Sequence, residues 1–167
     1  EDLGIVILTN KYSSLYYALT YQTLDAFLVP EDVDKDWSKT LLEMIKSRRE
    51  SEKEQREKAM QEITKGTKPS LPLKDYAGTY GGKLYGDAEV RFFNDELYIT
   101  MIPAPKLTSK LTHLQHNTFR IKFEQFPGLP EGTVHFIIDK NGKVEELRVD
   151  VPNPDFDFTE LKFYKKK

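Results

Sequence analysis

Seven serines, three histidines and a surplus of carboxylates are the side chains here that can do chemistry. A serine nucleophile of the Ser-x-x-Lys kind needs a lysine one helical turn on, where the amine can take the hydroxyl proton. The residues three after Ser13, Ser14, Ser38, Ser47, Ser51, Ser70 and Ser109 are Tyr16, Tyr17, Leu41, Glu50, Glu54, Leu73 and Thr112. None is lysine. The chain has no G-x-S-x-G elbow, no Walker A loop and no G-x-G-x-x-G phosphate loop. With no cysteine it has no thiol nucleophile, no disulfide and no Cys-type zinc site.

The histidines are His113, His116 and His135. H-x-x-H resembles a metal pair, but residues i and i+3 of a strand point to opposite faces. His113 and His116 could share a metal only across a bulge or turn, and cross-strand hydrogen bonding near a rim is the expected role. Glu145-Glu146 and the group Asp150, Asp155 and Asp157 lack the spacing of an EF-hand loop, so surface solubility is their expected role. Tyr76, Tyr80, Tyr85 and Tyr98 are candidates for lining a pocket mouth, against the plainer role of core and rim packing. The candidate pocket or rim set is therefore Tyr80, Tyr85, Tyr98, His113, His116, Phe119 and His135. No catalytic residue, metal ligand or cofactor is expected.

The elements that must hold these residues fall into three zones. In residues 1–30, Leu3 to Thr9 is a continuous β-prone run of the kind seen in a buried strand. Asn10 to Ser14 supplies turn and capping residues. Leu15 to Leu28 reads as a helix, with Tyr17, Tyr21, Leu24 and Leu28 on one stripe and Val29-Pro30 as its end. One strand and one helix cannot make a core alone. That start predicts a piece of a longer protein.

Residues 31–70 read as a charged helical spacer and linker. Asp34 or Asp36 caps a helix that opens with Trp37, Leu41, Leu42 and Ile45, then runs almost wholly charged from Lys46 to Lys58. Glu52 with Arg56 and Glu54 with Lys58 stand at i,i+4 in the favourable order. Ala59, Met60 and Ile63 follow, and Gly66 suits the C′ position. The stretch offers neither the apolar a and d positions of a coiled coil nor one basic and one apolar face. Thr67 to Pro72 reads as an extended linker.

Residues 71–167 read as all-β. Strands are expected at Tyr76–Tyr80, from Ala88 to Phe92, from Leu97 to Met101, at Lys106–Gln115, Thr118–Glu124, Val134–Asp139 and Lys143–Val151, and at Phe158–Lys165. Asn94-Asp95-Glu96 and Lys140-Asn141-Gly142 mark hairpins. The fold class is thus mainly β with N-terminal helices (α+β): about eight antiparallel strands in an up-and-down barrel, preceded by a strand–helix remnant and a long charged helix. A barrel of that size is either packed solid or holds one small ligand.

Charge and hydropathy exclude two classes of partner. Lys and Arg number 25 against 27 Asp and Glu, a net charge of −2, which does not support a nucleic-acid binder driven by a basic surface. No apolar run approaches the roughly 20 residues of a membrane-spanning helix.

Three motifs and the opening strand carry a family resemblance. Glu1-Asp2-Leu3-Gly4-Ile5-Val6-Ile7-Leu8-Thr9-Asn10 resembles the last strand of beta-lactamase-like serine hydrolases of the class C and penicillin-binding type, and residues 13–28 the helix that follows it. Leu73 to Tyr80 resembles the L-x-x-Y-x-G-x-Y opening of the small domain of unknown function often appended to such hydrolases. Leu114 to Phe119 is similar to that domain's L-x-H-x-T-F segment, without the tryptophan associated with that region. Val134-His135-Phe136 with Asp139 to Val144 matches its late V-x-F…D-x-x-G-K-V hairpin.

The resemblance implies a calycin-like (lipocalin-type) barrel. It also implies an upstream serine-hydrolase catalytic domain as partner, carrying the Ser-x-x-Lys, Tyr-x-Asn and His/Lys-x-Gly motifs. No Ser-x-x-Lys or Tyr-x-Asn occurs here, and none of the three histidines has glycine two residues on. Such hydrolases usually act outside the cytoplasm, which implies a periplasmic or secreted location. The leading expectation is a non-catalytic accessory domain that supports the catalytic domain or substrate access. The alternative is a lipocalin-like module for a small hydrophobic ligand or peptide. Without a catalytic domain, residues 1–30 are expected to fold back on the barrel or pair between two chains, and the long helix is a second possible homodimer contact.

Overall fold

The computed structural model describes residues 2–10, 13–29, 35–82, 85–153 and 156–166, without the side chains at 56 and 60. Glu1, part of the Asn10–Ser14 turn, Pro30, Asp34, the Glu52–Arg56 pair, Met60 and Asp155 lie outside that description. The chain divides into two compact units, Glu1–Glu62 and Ile63–Lys167.

The first unit holds helices α1 (Leu15–Leu28) and α2 (Trp37–Gln61). Asp36 caps α2, its side chain accepting from the Lys39 N–H at 3.0 Å, which ties down one of the helix's orphan donors. The two helices meet where Tyr21 stacks on Trp37, ring centroids 4.7 Å apart, and the Trp37 indole N–H donates to Asp25. The Lys35 ammonium sits 3.8 Å from the same indole ring, a cation–π contact. Beyond Ile45 the described side chains of α2 are all exposed. Its ion pairs are Arg48–Glu52 and Lys53–Glu57; the expected Glu54–Lys58 contact is not among them.

One expectation for this unit needs correction. Residues 2–9 join no strand. A strand exists only through hydrogen bonds to a neighbour, and apolar sequence alone does not supply one. Val6 is 84% and Leu8 90% exposed. The Tyr17, Tyr21, Leu24 and Leu28 stripe of α1 also stays largely open, and Ala18 is that helix's buried residue.

The second unit is a closed eight-stranded barrel in which every strand pairs antiparallel with its sequence neighbours and the last with the first. Its strands are β1 (Gly78–Gly82), β2 (Gly86–Phe93), β3 (Glu96–Met101), β4 (Thr108–Gln115), β5 (Thr118–Ile121), β6 (Gly132–Ile138), β7 (Val144–Asp150) and β8 (Lys162–Lys165). Closure removes the free sheet edges that would otherwise template association.

Alternation decides which side chains go inside. Ala88 and Val90 of β2, Leu97, Ile99 and Met101 of β3, and Val134 and Phe136 of β6 all face the core. The β2–β3 hairpin turns on Asn94 and Asp95, at φ 49° and 60°, the double positive φ of a type I′ turn. The β6–β7 hairpin is locked by Asp139, whose carboxylate accepts from the Asn141 and Lys143 N–H groups, both at 2.8 Å.

Two strands are preceded by a short helical turn where the sequence pattern suggests strand. Leu73–Tyr76 winds into a 3₁₀ turn before β1, and Phe158–Glu160 does the same before β8. In each, an aromatic residue, Tyr76 or Phe158, is buried from the turn instead of from a strand.

Candidate functional site

The predicted site residues do not gather in one place. Tyr80 and Phe119 are core residues, 0% and 1% exposed. They belong to an aromatic cluster in which Phe136 lies 4.9 Å from Tyr76, 5.9 Å from Tyr80 and 5.6 Å from Phe119, ring centroid to centroid, with every contact edge-on. That is the arrangement ring quadrupoles favour. The Tyr80 hydroxyl donates to the Tyr76 carbonyl at 2.6 Å. Burial, with a smaller push from Tyr76, drives the Tyr80 phenol far above its ordinary pKa. It is a neutral hydrogen-bond donor and no base.

The histidines split between two places. His113 lies edge-on to Phe119 at 5.5 Å, and its Nε2 is 3.0 Å from the His116 carbonyl oxygen. His116 occupies the β4–β5 turn with φ 43°, just past a register shift between His113 and Gln115. The bulge that could have aimed both rings at one ion instead sets one ring on the other's backbone. No cluster of three metal-ligating side chains occurs among the described residues. His135 is on the outer face of β6, where Nδ1 shares a 2.8 Å hydrogen bond with Thr118 Oγ1. Burial, then the charge of Arg148 opposite on β7, holds its imidazole below the ordinary value.

Residues 63–71 are tied to that same β4–β5 turn. The Thr64 N–H donates to Gln115 Oε1 at 2.9 Å, and the His116 N–H to Thr67 Oγ1 at 2.9 Å. Asn117 Oδ1 accepts from both the Ser70 N–H at 2.9 Å and the Tyr76 hydroxyl at 2.6 Å. Sequence reasoning missed Asn117. The sequence carries no clear signal for it, because the positive φ of His116 that shapes this turn is a property of the fold.

Of the acidic residues expected on the surface, Glu146 is instead buried, and Asp157 is engaged locally. Glu146 is paired with Arg148 at 3.0 Å, and Asp157 caps the turn before β8 through the Thr159 N–H.

Two grooves on the barrel surface take in tyrosines of the predicted set. One, of about 560 Å³, lies over the β1–β8 seam and is walled in part by Tyr85 and Tyr164. The other, of about 760 Å³, lies over β1, β2 and β3 and includes Tyr98 with Glu89, Arg91, Phe92 and Phe93. Tyr98 donates to Glu96 at 2.8 Å, and Glu96 also receives the Lys110 ammonium. The hydrogen bond from Lys110, then that from Tyr98, lowers the Glu96 pKa. Of the predicted set, then, Tyr85 and Tyr98 line grooves, and they line different ones.

The fold and its interior define a class: a small, closed antiparallel barrel filled by its own side chains, entered through a polar strap. Residues 63–165 match the family described as "Domain of unknown function (DUF3471)", and the chain belongs to that family. Among solved structures it is similar to the C-terminal domain of penicillin binding protein Rv0907, at 25% identity and a TM-score of 0.47, over 63% of this chain and 94% of that one. No curated protein matches the chain.

Proposed function

We propose that this chain is a non-catalytic accessory segment of a beta-lactamase-like serine hydrolase, acting outside the cytoplasm. In this reading the barrel supports the catalytic domain or shapes substrate access. The observation that carries it is the fate of the family-like motif residues. Tyr76 and Tyr80 from the first motif, Phe119 from the second and Phe136 from the third all end in one buried aromatic cluster. They build an interior and present no reacting group. The occupied interior also weighs against an apolar ligand held inside the barrel.

The open apolar surface of residues 2–29 has a place in the same reading. Val6, Leu8, Phe27 and Leu28 are all more than half exposed, and such surface calls for a partner. In the hydrolase resemblance the partner is the catalytic domain. A second copy of this chain is the competing occupant.

Reading the gene upstream of the Glu1 codon tests the central claim. An in-frame Ser-x-x-Lys followed by Tyr-x-Asn is the expected result; open frame without them overturns it. Pure chain incubated with a chromogenic β-lactam or ester should show no turnover above buffer, and turnover would refute the non-catalytic part. Concentration-dependent light scattering distinguishes the two occupants, because a dimer that Leu8→Ser and Phe27→Ser abolish assigns the apolar face to a second copy.

A further inference from the structure

We propose that the groove over the outer face of β1, β2 and β3 is a binding site for an uncharged sugar ring. The β2–β3 hairpin ends in two adjacent phenylalanines. Phe93 closes the outward row and is 64% exposed, so its ring is the one this face presents, whereas Phe92 closes the inward row. Exposed aromatic surface rimmed by polar groups marks an interaction site. Tyr98 forms another wall, and its ring is fixed in advance: the hydroxyl is held by Glu96, and Glu96 by Lys110. A ring already immobilised costs little further entropy when a ligand stacks on it.

The polar lining fits the same ligand. Glu89 and Arg91 stand two apart on β2, so they share its outer face, and they pair at 3.5 Å. Together they offer a carboxylate acceptor beside a guanidinium donor. A sugar hydroxyl needs both at once, whereas a simple anion or cation needs one alone. Charge is balanced within the groove, Glu89 against Arg91, so a charged ligand would gain little from it. The aromatic faces carry negative potential and attract the polarised C–H face of a pyranose. The volume, about 760 Å³, falls within the range of small-molecule sites. None of this depends on what lies upstream of the chain.

The test is an NMR titration of the isotope-labelled chain with cellohexaose and with N-acetylchitohexaose. Saturable shifts are expected at the amides of Thr79, Arg91, Phe93 and Tyr98, with millimolar affinity for at least one sugar. Arg91→Gln and Phe93→Ala, both exposed and compatible with folding, should weaken binding by about tenfold, the order expected when one good contact is lost. Tyr85→Ala, in the other groove, should leave it unchanged. Three results would each overturn the proposal: no saturable shift from either sugar up to about 10 mM, a range that reaches weak millimolar binding; equal binding by the Arg91→Gln and Phe93→Ala variants; or a neutral hexapeptide outcompeting both sugars at the same amides.

Discussion

The Tyr76 hydroxyl donates to Asn117 Oδ1 at 2.6 Å, joining the turn before the first strand to the turn between the fourth and fifth, 41 residues apart. The same oxygen takes the Ser70 N–H, and the Tyr76 oxygen accepts from the Leu71 N–H at 3.2 Å. One side chain therefore holds both the incoming strap and the aromatic cluster beneath it. Asn117→Ala leaves two donors short of an acceptor and should cost about 1–3 kcal/mol. Tyr76→Phe removes the hydroxyl at both ends and should cost about 1 kcal/mol. Because they share the bond, the double variant should be less destabilised than the sum of the singles. Urea unfolding of the four proteins measures this, and strict additivity would show that the bond is not a common element.

The seam between β1 and β8 makes a second, sharper comparison. It has two registered pairs, Tyr80 with Lys165 and Gly81 with Tyr164. A Cβ on Gly82 would stand 2.5 Å from the Lys162 carbonyl oxygen, so β8 itself would have to move. A Cβ on Gly81 meets the ends of the Asp87 and Lys166 side chains, which can swing aside at the loss of their 2.7 Å ion pair. Gly82→Ala should therefore cost about 1–3 kcal/mol as overpacking. Gly81→Ala should cost less, since exposed ion pairs contribute about 0–1 kcal/mol. Thermal melts of the two variants rank them, and a larger loss for Gly81→Ala would contradict the seam geometry.

Much of the barrel was legible because its signals are local. Ala88, Val90 and Phe92 alternate with Glu89 and Arg91, and Asn94-Asp95 fits one tight turn, so the β2–β3 hairpin follows from a dozen residues. The helix at Leu15–Leu28 was legible for the same reason. Tyr76 was not, since a 3₁₀ turn can bury a residue that a strand pattern would also bury. The run Leu3–Thr9 misled because a strand depends on a neighbour outside its own sequence. The candidate site was the least legible part. Tyrosine is equally suited to a wall, a core or a hydrogen-bonded strut. Only the fold separates Tyr80, sealed in the core, from Tyr98, tethered beside a groove.

His135 gives a pH dependence near neutrality. Its folded pKa lies below the unfolded value of about 6.5, because burial and Arg148 both disfavour the imidazolium. The unfolded chain thus binds the proton first as pH falls. Stability should be highest above the unfolded value and decline as pH drops from there through the depressed folded value, then level off. His135→Gln, which keeps a group able to meet Thr118, should flatten that step. Urea midpoints collected between pH 7.5 and pH 5, about the interval in which histidine changes charge, decide it; parallel profiles for the two proteins would remove His135 as the cause.

At lower pH the β6–β7 turn should fail for the opposite reason. The Asp139 carboxyl is held below its ordinary pKa, chiefly by the Lys143 N–H and then, against a little desolvation, by Asn141. Its stabilising contribution is complete above the unfolded aspartate value, about 3.9, and is lost as pH falls from there through the depressed folded value. Asp139→Asn preserves an oxygen acceptor for both N–H groups but cannot titrate. That variant should start less stable at neutral pH, because a charged acceptor makes the stronger bond. It should then lose less on acidification, so the two stability curves converge once pH has fallen below the depressed folded value. Amide exchange of Gly142, whose N–H donates to the Asp139 carbonyl at 3.0 Å, reads the turn directly. It should accelerate on acidification in the native chain beyond the intrinsic pH effect, and not in the variant. Equal protection in both would mean that the carboxylate charge does not hold the hairpin.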